Sequence, residues 1–159
     1  MKKLLLLTLV FVWLAVPMAR AQNDARKVPN AVLNAFNAKY PNMTVKDWDW
    51  EDDKDMWEAE FMMNGREYEA YFMPDGTWKK TKSELKKSQV PAAVNSALTT
   101  GDYSTWKAED YYEMDSPETG RVYKAKVKKG DETYYLQYDA SGKLVDRKSK
   151  DEKKAMKKK

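Results

Sequence analysis

The densest run of side chains able to do chemistry is Asp47-Trp48-Asp49-Trp50-Glu51-Asp52-Asp53-Lys54-Asp55. Carboxylates at relative positions 1, 3 and 5, with Glu58 at position 12, have the spacing of a calcium loop, because calcium takes several hard oxygen ligands at once. Such a loop needs a glycine at position 6 for its sharp turn, and here that residue is Asp52. The same stretch also reads as a strand running into an acidic, solubilising hairpin turn. A second match, Ser83-Glu84-Leu85-Lys86, has the Ser-x-x-Lys spacing of a serine nucleophile and its lysine. The companion motifs of that enzyme class are missing, and the segment reads as a helix start between two units. There is no histidine and no cysteine anywhere, which removes the commonest general base, the thiol nucleophile and most transition-metal ligands together. The expectation is a chain that is not an enzyme, with no cofactor and no metal site.

The tryptophans allow two readings. Trp48, Trp50, Trp57, Trp78 and Trp106 would serve either as an aromatic ligand platform or as core. Core packing accounts for four of them, because the matching position elsewhere in the chain holds a core-type residue or another tryptophan. Trp50 borders the acidic turn and is matched only by Ala108, so it is expected to be an exposed contact anchor.

The elements that position these residues follow from a pattern used twice. Val28-Pro29-Asn30-Ala31-Val32-Leu33-Asn34-Ala35-Phe36 returns as Val90-Pro91-Ala92-Ala93-Val94-Asn95-Ser96-Ala97-Leu98. Trp57-Glu58-Ala59-Glu60-Phe61 returns as Tyr123-Lys124-Ala125-Lys126-Val127, and Asp75-Gly76-Thr77-Trp78 as Ser141-Gly142-Lys143-Leu144. What recurs is apolar positions and turn glycines, so the repeated object is a fold unit and not a catalytic motif. Proline suits the first turn of a helix, and 3.6-residue spacing of apolar positions predicts helices over Pro29 to Tyr40 and Pro91 to Thr100. The period then changes to two: Trp57, Ala59, Phe61 and Met63, then Tyr68, Ala70 and Phe72 across an Asn64-Gly65 hairpin. A first strand around Trp48 and Trp50 and a short last one around Trp78 complete each meander.

The predicted class is therefore α+β: two tandem helix-plus-antiparallel-meander repeats with the helices packed on one face of the sheet. Ala59, Phe61, Ala70, Phe72, Ala125, Val127, Leu136 and Tyr138 are predicted buried, and Glu58, Glu60, Lys124 and Lys126 not buried. Tyr71, Met62, Met73 and Tyr135 are placed on the outer face as exposed side chains.

Met1-Lys2-Lys3, an apolar stretch of about 13 residues from Leu4, and Ala19-Arg20-Ala21 have the layout of a secretory signal peptide cleaved after Ala21. The apolar stretch is short of the roughly 20 residues of a membrane span. The expected organisation is a leader over 1–21, a first repeat over 22–88, a second over 89–147 and a lysine-rich tail over 148–159. Arg147 to Lys159 holds eight Lys or Arg against Asp151 and Glu152, for a charge of +6. With the leader's +3 also removed from the whole-chain +4, about −5 is left for 22–146. Ser149-x-x-Glu152 is a possible capping box, and the tail could make weak contact with an anionic surface. Export makes nucleic acid an unsuitable partner.

The Val-Pro-x-x-Val-x-x-Ala-Phe helix, Tyr40-Pro41, the Trp-rich first strand, Glu58-Ala59-Glu60-Phe61 and Tyr71-Phe72-x-x-Asp75-Gly76-x-Trp78 together resemble the PepSY-like, or beta-lactamase-inhibitor-like, periplasmic proteins of bacteria. The resemblance runs from about Val28 to Arg147. It implies a tandem α+β fold akin to beta-lactamase inhibitor protein, no enzymatic activity, and a periplasmic or secreted location. The inhibitor grips its enzyme with a sheet and protruding hairpin loops, and it has disulfides that this cysteine-free chain lacks. The functional expectation is a binding module that contacts an unknown protein partner, in an inhibitory role if the likeness extends that far, through the exposed sheet face and hairpin loops. Trp50, Asp52, Asp53, Tyr71 and Tyr135 are the candidate contact residues. The alternative is a small-ligand or calcium-binding periplasmic sensor built on the acidic Trp-rich turn.

Overall fold

The computed structural model describes residues 27–156. The expected leader and its cleavage site, and the last three lysines, lie outside the described residues. Pro29 caps helix α1 (Asn30–Lys39) in extended conformation, and its carbonyl accepts from the N–H groups of Val32 and Leu33. Val32 and Phe36, four residues apart, form the buried stripe of α1. Pro91 caps α2 (Ala92–Thr100) in the same way, and that helix buries Val94 and Leu98. Both helices thus fall within one residue of their predicted bounds at each end.

Eight strands follow the helices in two runs: β1 (Val45–Glu51), β2 (Met56–Met63), β3 (Arg66–Phe72) and β4 (Trp78–Leu85), then β5 (Lys107–Ser116), β6 (Gly120–Lys129), β7 (Glu132–Tyr138) and β8 (Leu144–Ser149). They form one antiparallel sheet in sequential order β1 to β8. Asn64 and Gly65 both take positive φ between paired Met63 and Arg66, the two-residue turn whose twist suits a hairpin.

The region around Ser83 departs from the sequence reading. β4 is not a short strand followed by a helix start but an eight-residue strand, and only a single 3-10 turn, Lys87–Gln89, precedes α2. Both edges of β4 are paired, to β3 and β5, and the Ser83 hydroxyl donates to the Glu67 carbonyl at 2.7 Å. The pairing of β4 with β5 joins the two meanders into one sheet, a long-range choice that no local pattern specifies.

Both helices lie on the same side. Thr81, Ser83 and Leu85 alternate onto one face of β4: Thr81 shares a short hydrogen bond with Tyr40 just past α1, and Leu85 packs into the core beneath α2. Under α1 the core holds Val32, Phe36, Trp57, Ala59, Phe61, Tyr68, Ala70 and Phe72; under α2 it holds Leu85, Val94, Leu98, Ala125, Val127, Leu136 and Tyr138 among others. All eight side chains predicted buried are buried. The tail continues as α3 (Lys150–Met156), and its capping box forms: the Ser149 N–H donates to Glu152 Oε2 at 2.6 Å and the Glu152 N–H to Ser149 Oγ at 3.2 Å.

Candidate binding face

The face opposite α1 and α2 receives every second residue of each strand. Asp47, Asp49, Glu58, Glu60, Glu67 and Glu69 come from β1 to β3, while Lys80, Lys82, Lys124, Lys126 and Lys148 come from β4, β6 and β8. Carboxylates thus dominate β1 to β3 and lysines the rest of the face, where Glu84, Glu109 and Asp146 are interspersed among them. Ion pairs tie much of it down: Lys46 to Glu67 (2.8 Å) and Glu60 (3.6 Å), Lys82 to Glu69, and Lys126 to Asp110 (2.8 Å) and Glu109 (3.5 Å). The last set depends on a bulge at Asp110, whose φ of 49° interrupts the β5–β6 register.

Glu58 and Tyr71 correct the sequence expectation of exposure. Both lie on the outer face, yet they are 8% and 2% exposed. The β2–β3 register sets them opposite each other, and three lysines lie over the Tyr71 ring: Lys80 at 4.4 Å, Lys54 at 5.6 Å and Lys82 at 5.7 Å from its centroid. The hydrocarbon stems of these lysines exclude water while their ammonium groups face the ring. The Tyr71 hydroxyl donates to Glu69 Oε2 at 2.6 Å. Burial, followed by hydrogen bonding to both carboxylates, pushes the Tyr71 phenol well up, so it stays a neutral donor. Burial, reinforced by Glu69, pushes the Glu58 carboxyl up to about 7. Burial acts on Glu69 too, but hydrogen bonds from Lys82 and Tyr71 outweigh it and hold that group below its ordinary value.

A pH dependence follows. Between the ordinary value of 4.5 and about 7 the folded chain keeps a proton on Glu58 that the unfolded chain has released. The folded state binds more protons in that window, so stability falls as the pH rises through it. Urea midpoints at about pH 5 and about pH 8 should show this fall, and Glu58→Gln, which cannot ionise, should flatten it. An unchanged slope in that variant would exclude Glu58 as its source.

The remaining candidates are spread over different parts of the molecule. Trp50 does not stand out as an exposed anchor on the outer face. It lies beside Trp48 on the helix side, packs against the α1 core, and meets Trp57 edge-on at 5.4 Å. Asp52 and Asp53 are exposed in the β1–β2 turn, where Lys54 pairs with Glu51 and, at 3.6 Å, with Asp53. Asp47 and Asp49 extend along β1 instead of converging, and among the described residues no three acidic groups are gathered to hold a metal ion. Tyr135 is half-buried on the outer face of β7, with Lys153 of α3 at 3.6 Å from its ring centroid. Alternation along β7 placed Tyr135 correctly, but nothing local indicated that the tail would return to cover it.

Sequence reasoning missed a polar cleft of about 340 Å³ on the helix side, between the two cores. Glu113 binds Arg66 at 2.8 Å and Arg121 at 3.2 Å there, so one carboxylate links β3, β5 and β6. Arg66 and Glu113 are 47 positions apart in sequence, and only the β4–β5 pairing brings them together.

No helix among the described residues is long and apolar enough to cross a membrane. Among curated proteins, none matches the chain. Solved structures do. A BLIP-like protein from Bacteroides fragilis superposes with a TM-score of 0.71 at 26% identity, over 79% of this chain and 89% of that one. A DUF2874 family protein from Bacteroides ovatus gives 0.68 at 24% identity, over 78% and 89%. A Bacteroides eggerthii protein named a "putative periplasmic" protein gives 0.64 at 24% identity, over 78% and 90%. The family described as "Putative beta-lactamase-inhibitor-like, PepSY-like" matches residues 12–61 and 55–146. With the match reaching from ahead of α1 into β8, the chain belongs to this PepSY-like, beta-lactamase-inhibitor-like family.

Proposed function

We propose that the chain is an exported, non-enzymatic binding module that holds a protein partner through its outer sheet face and the hairpin turns at the edge of that face. The observation that carries this reading is that α1 and α2 cover one side of an eight-stranded sheet and leave most of the other side open. Membership of an inhibitor-like family with a binding fold supports it. Tyr135 supplies aromatic contact area, and Asp52 and Asp53 steer approach from the rim. Trp50 and Tyr71 act from beneath, so alanine at either would lower the melting temperature as well as affinity. The export half of the reading rests on the layout of residues 1–21, and places the chain in the periplasm or outside the cell.

The binding scaffold is read as one unit used twice, over 22–88 and 89–147. Gly76 and Gly142 support this: each has a left-handed φ, and a Cβ on either would strike the carbonyl of the matching helix residue, Ala31 or Ala93.

Photo-crosslinking residues placed at Tyr135 and Asp53, and for contrast at Asn34 and Ser96 on the helices, test the binding reading in periplasmic extract. Adducts are expected from the first two positions only. Capture from Asn34 or Ser96 alone would move the binding surface to the helix side and overturn the proposal.

A further inference from the structure

Two lysines two residues apart on β6 differ sharply. Lys126 is neutralised by Asp110 and Glu109. Lys124, on the same face, has no carboxylate within ion-pair distance and no hydrogen-bond partner among the described residues. Its cross-strand neighbours are Tyr112 on β5 and Gln137 on β7, both uncharged. The next side chain in that row, Asp146 on β8, attracts Lys124 without forming an ion pair with it and is held by Lys148 at 3.3 Å. Lys124 is also partly buried, and it lines two adjoining depressions of about 280 and 500 Å³, where Tyr135, Met114, Val122 and Val145 supply apolar surface and Lys148 and Asp146 line both. A half-buried ammonium without a counter-ion is costly to the free protein.

We propose that this basic half of the outer face is the seat for an acidic peptide segment of the protein partner, with Lys124 receiving a Glu or Asp carboxylate whose flanking apolar side chains fill the two depressions. The proposal rests on the binding function given above and deepens it. Burial, then repulsion from Lys80, Lys148 and Lys153, outweighs the attraction of Asp146 and pulls the Lys124 amine below its ordinary value. Lys148 and Lys153 line the smaller depression with Lys124, so charge alone suits a carboxylate or an inorganic anion, and the apolar surface favours the peptide. The apolar floor adds contact area that an inorganic anion would leave unused.

The test is fluorescence anisotropy with the full chain and a labelled, end-capped peptide of alternating Glu and Leu, against its Gln-Leu counterpart. The Glu peptide should bind, more weakly as salt rises, and the Gln peptide should not. Lys124→Gln should weaken the Glu peptide by about tenfold or more, and Lys126→Gln by less than about twofold. The same Lys124→Gln protein should melt about 2–4 °C higher than the wild type, because the uncompensated charge is gone; a lower melting temperature would mean that Lys124 is a structural residue. Equal binding of the two peptides, or unchanged affinity in Lys124→Gln, would overturn the proposal. Complete displacement by inorganic phosphate at about 10 mM would overturn it in favour of a small-anion site. Crosslinking from Tyr135 in extract that persists in Lys124→Gln would leave the binding face standing and remove only the acidic anchor.

Discussion

Phe61→Ala will destabilise the fold by about 3 to 5 kcal/mol, the cost of emptying a core aromatic position. Phe61 is 0% exposed on the helix side of β2. Its ring meets Phe36 edge-on at 5.1 Å, Tyr40 at 4.7 Å and Tyr68 in a stacked arrangement at 5.7 Å. It is therefore the shared contact of α1, the segment after it, and β3. Truncation removes the buried area and the aromatic contacts, and the rigid sheet cannot close the cavity left behind. Phe61→Leu, which retains most of the volume, should lose only about 1 to 1.5 kcal/mol. Urea unfolding followed by tryptophan fluorescence measures both, and a loss below about 1 kcal/mol for the alanine variant would mean that this core does not hold α1 in place.

Gly142→Ala should cost about 2 to 4 kcal/mol, although it adds a single methyl group to an exposed turn. Two penalties act together. The φ of +83° is one that L side chains rarely adopt, and the new Cβ would lie 2.5 Å from the Ala93 carbonyl oxygen and 2.8 Å from its carbon. Backbone cannot rotate away as a side chain would, so α2 must lift from the sheet. Gly76→Ala faces the same pair of penalties at φ +89° against Ala31. Gly130→Ala is the control: its φ is +58°, but nothing lies within 4 Å of the added methyl, and it should lose only about 1 kcal/mol. Equal losses at Gly142 and Gly130 would show that the close approach to the helix is not what requires glycine.

The acidic turn shows why spacing alone did not define a site. The carboxylates of Asp47, Asp49 and Glu51 are two residues apart, and on a strand that spacing extends them in a row instead of turning them inward. Lys54 then holds Glu51 and, at 3.6 Å, Asp53, and Asp52 and Asp53 are exposed at the rim of the sheet.

Periodicity by itself determined the two helices with their Val-Pro starts, the hairpin at Asn64-Gly65, the alternating burial of Ala59, Phe61, Ala70 and Phe72, and the capping box of α3, because each depends on residues a few positions apart. Tertiary structure alone decided what happens on the outer face. Alternation assigned Glu58 and Tyr71 to that face correctly, but their burial comes from Lys80 and Lys82 on β4, and their proton sharing from Glu69 on β3. The pairing of β4 with β5, the Arg66–Glu113 link and the contrast between Lys124 and Lys126 arise the same way, from neighbours supplied by other strands. Desolvation and charge are set by everything within several ångströms in space, and in an eight-stranded sheet most of that lies far along the chain.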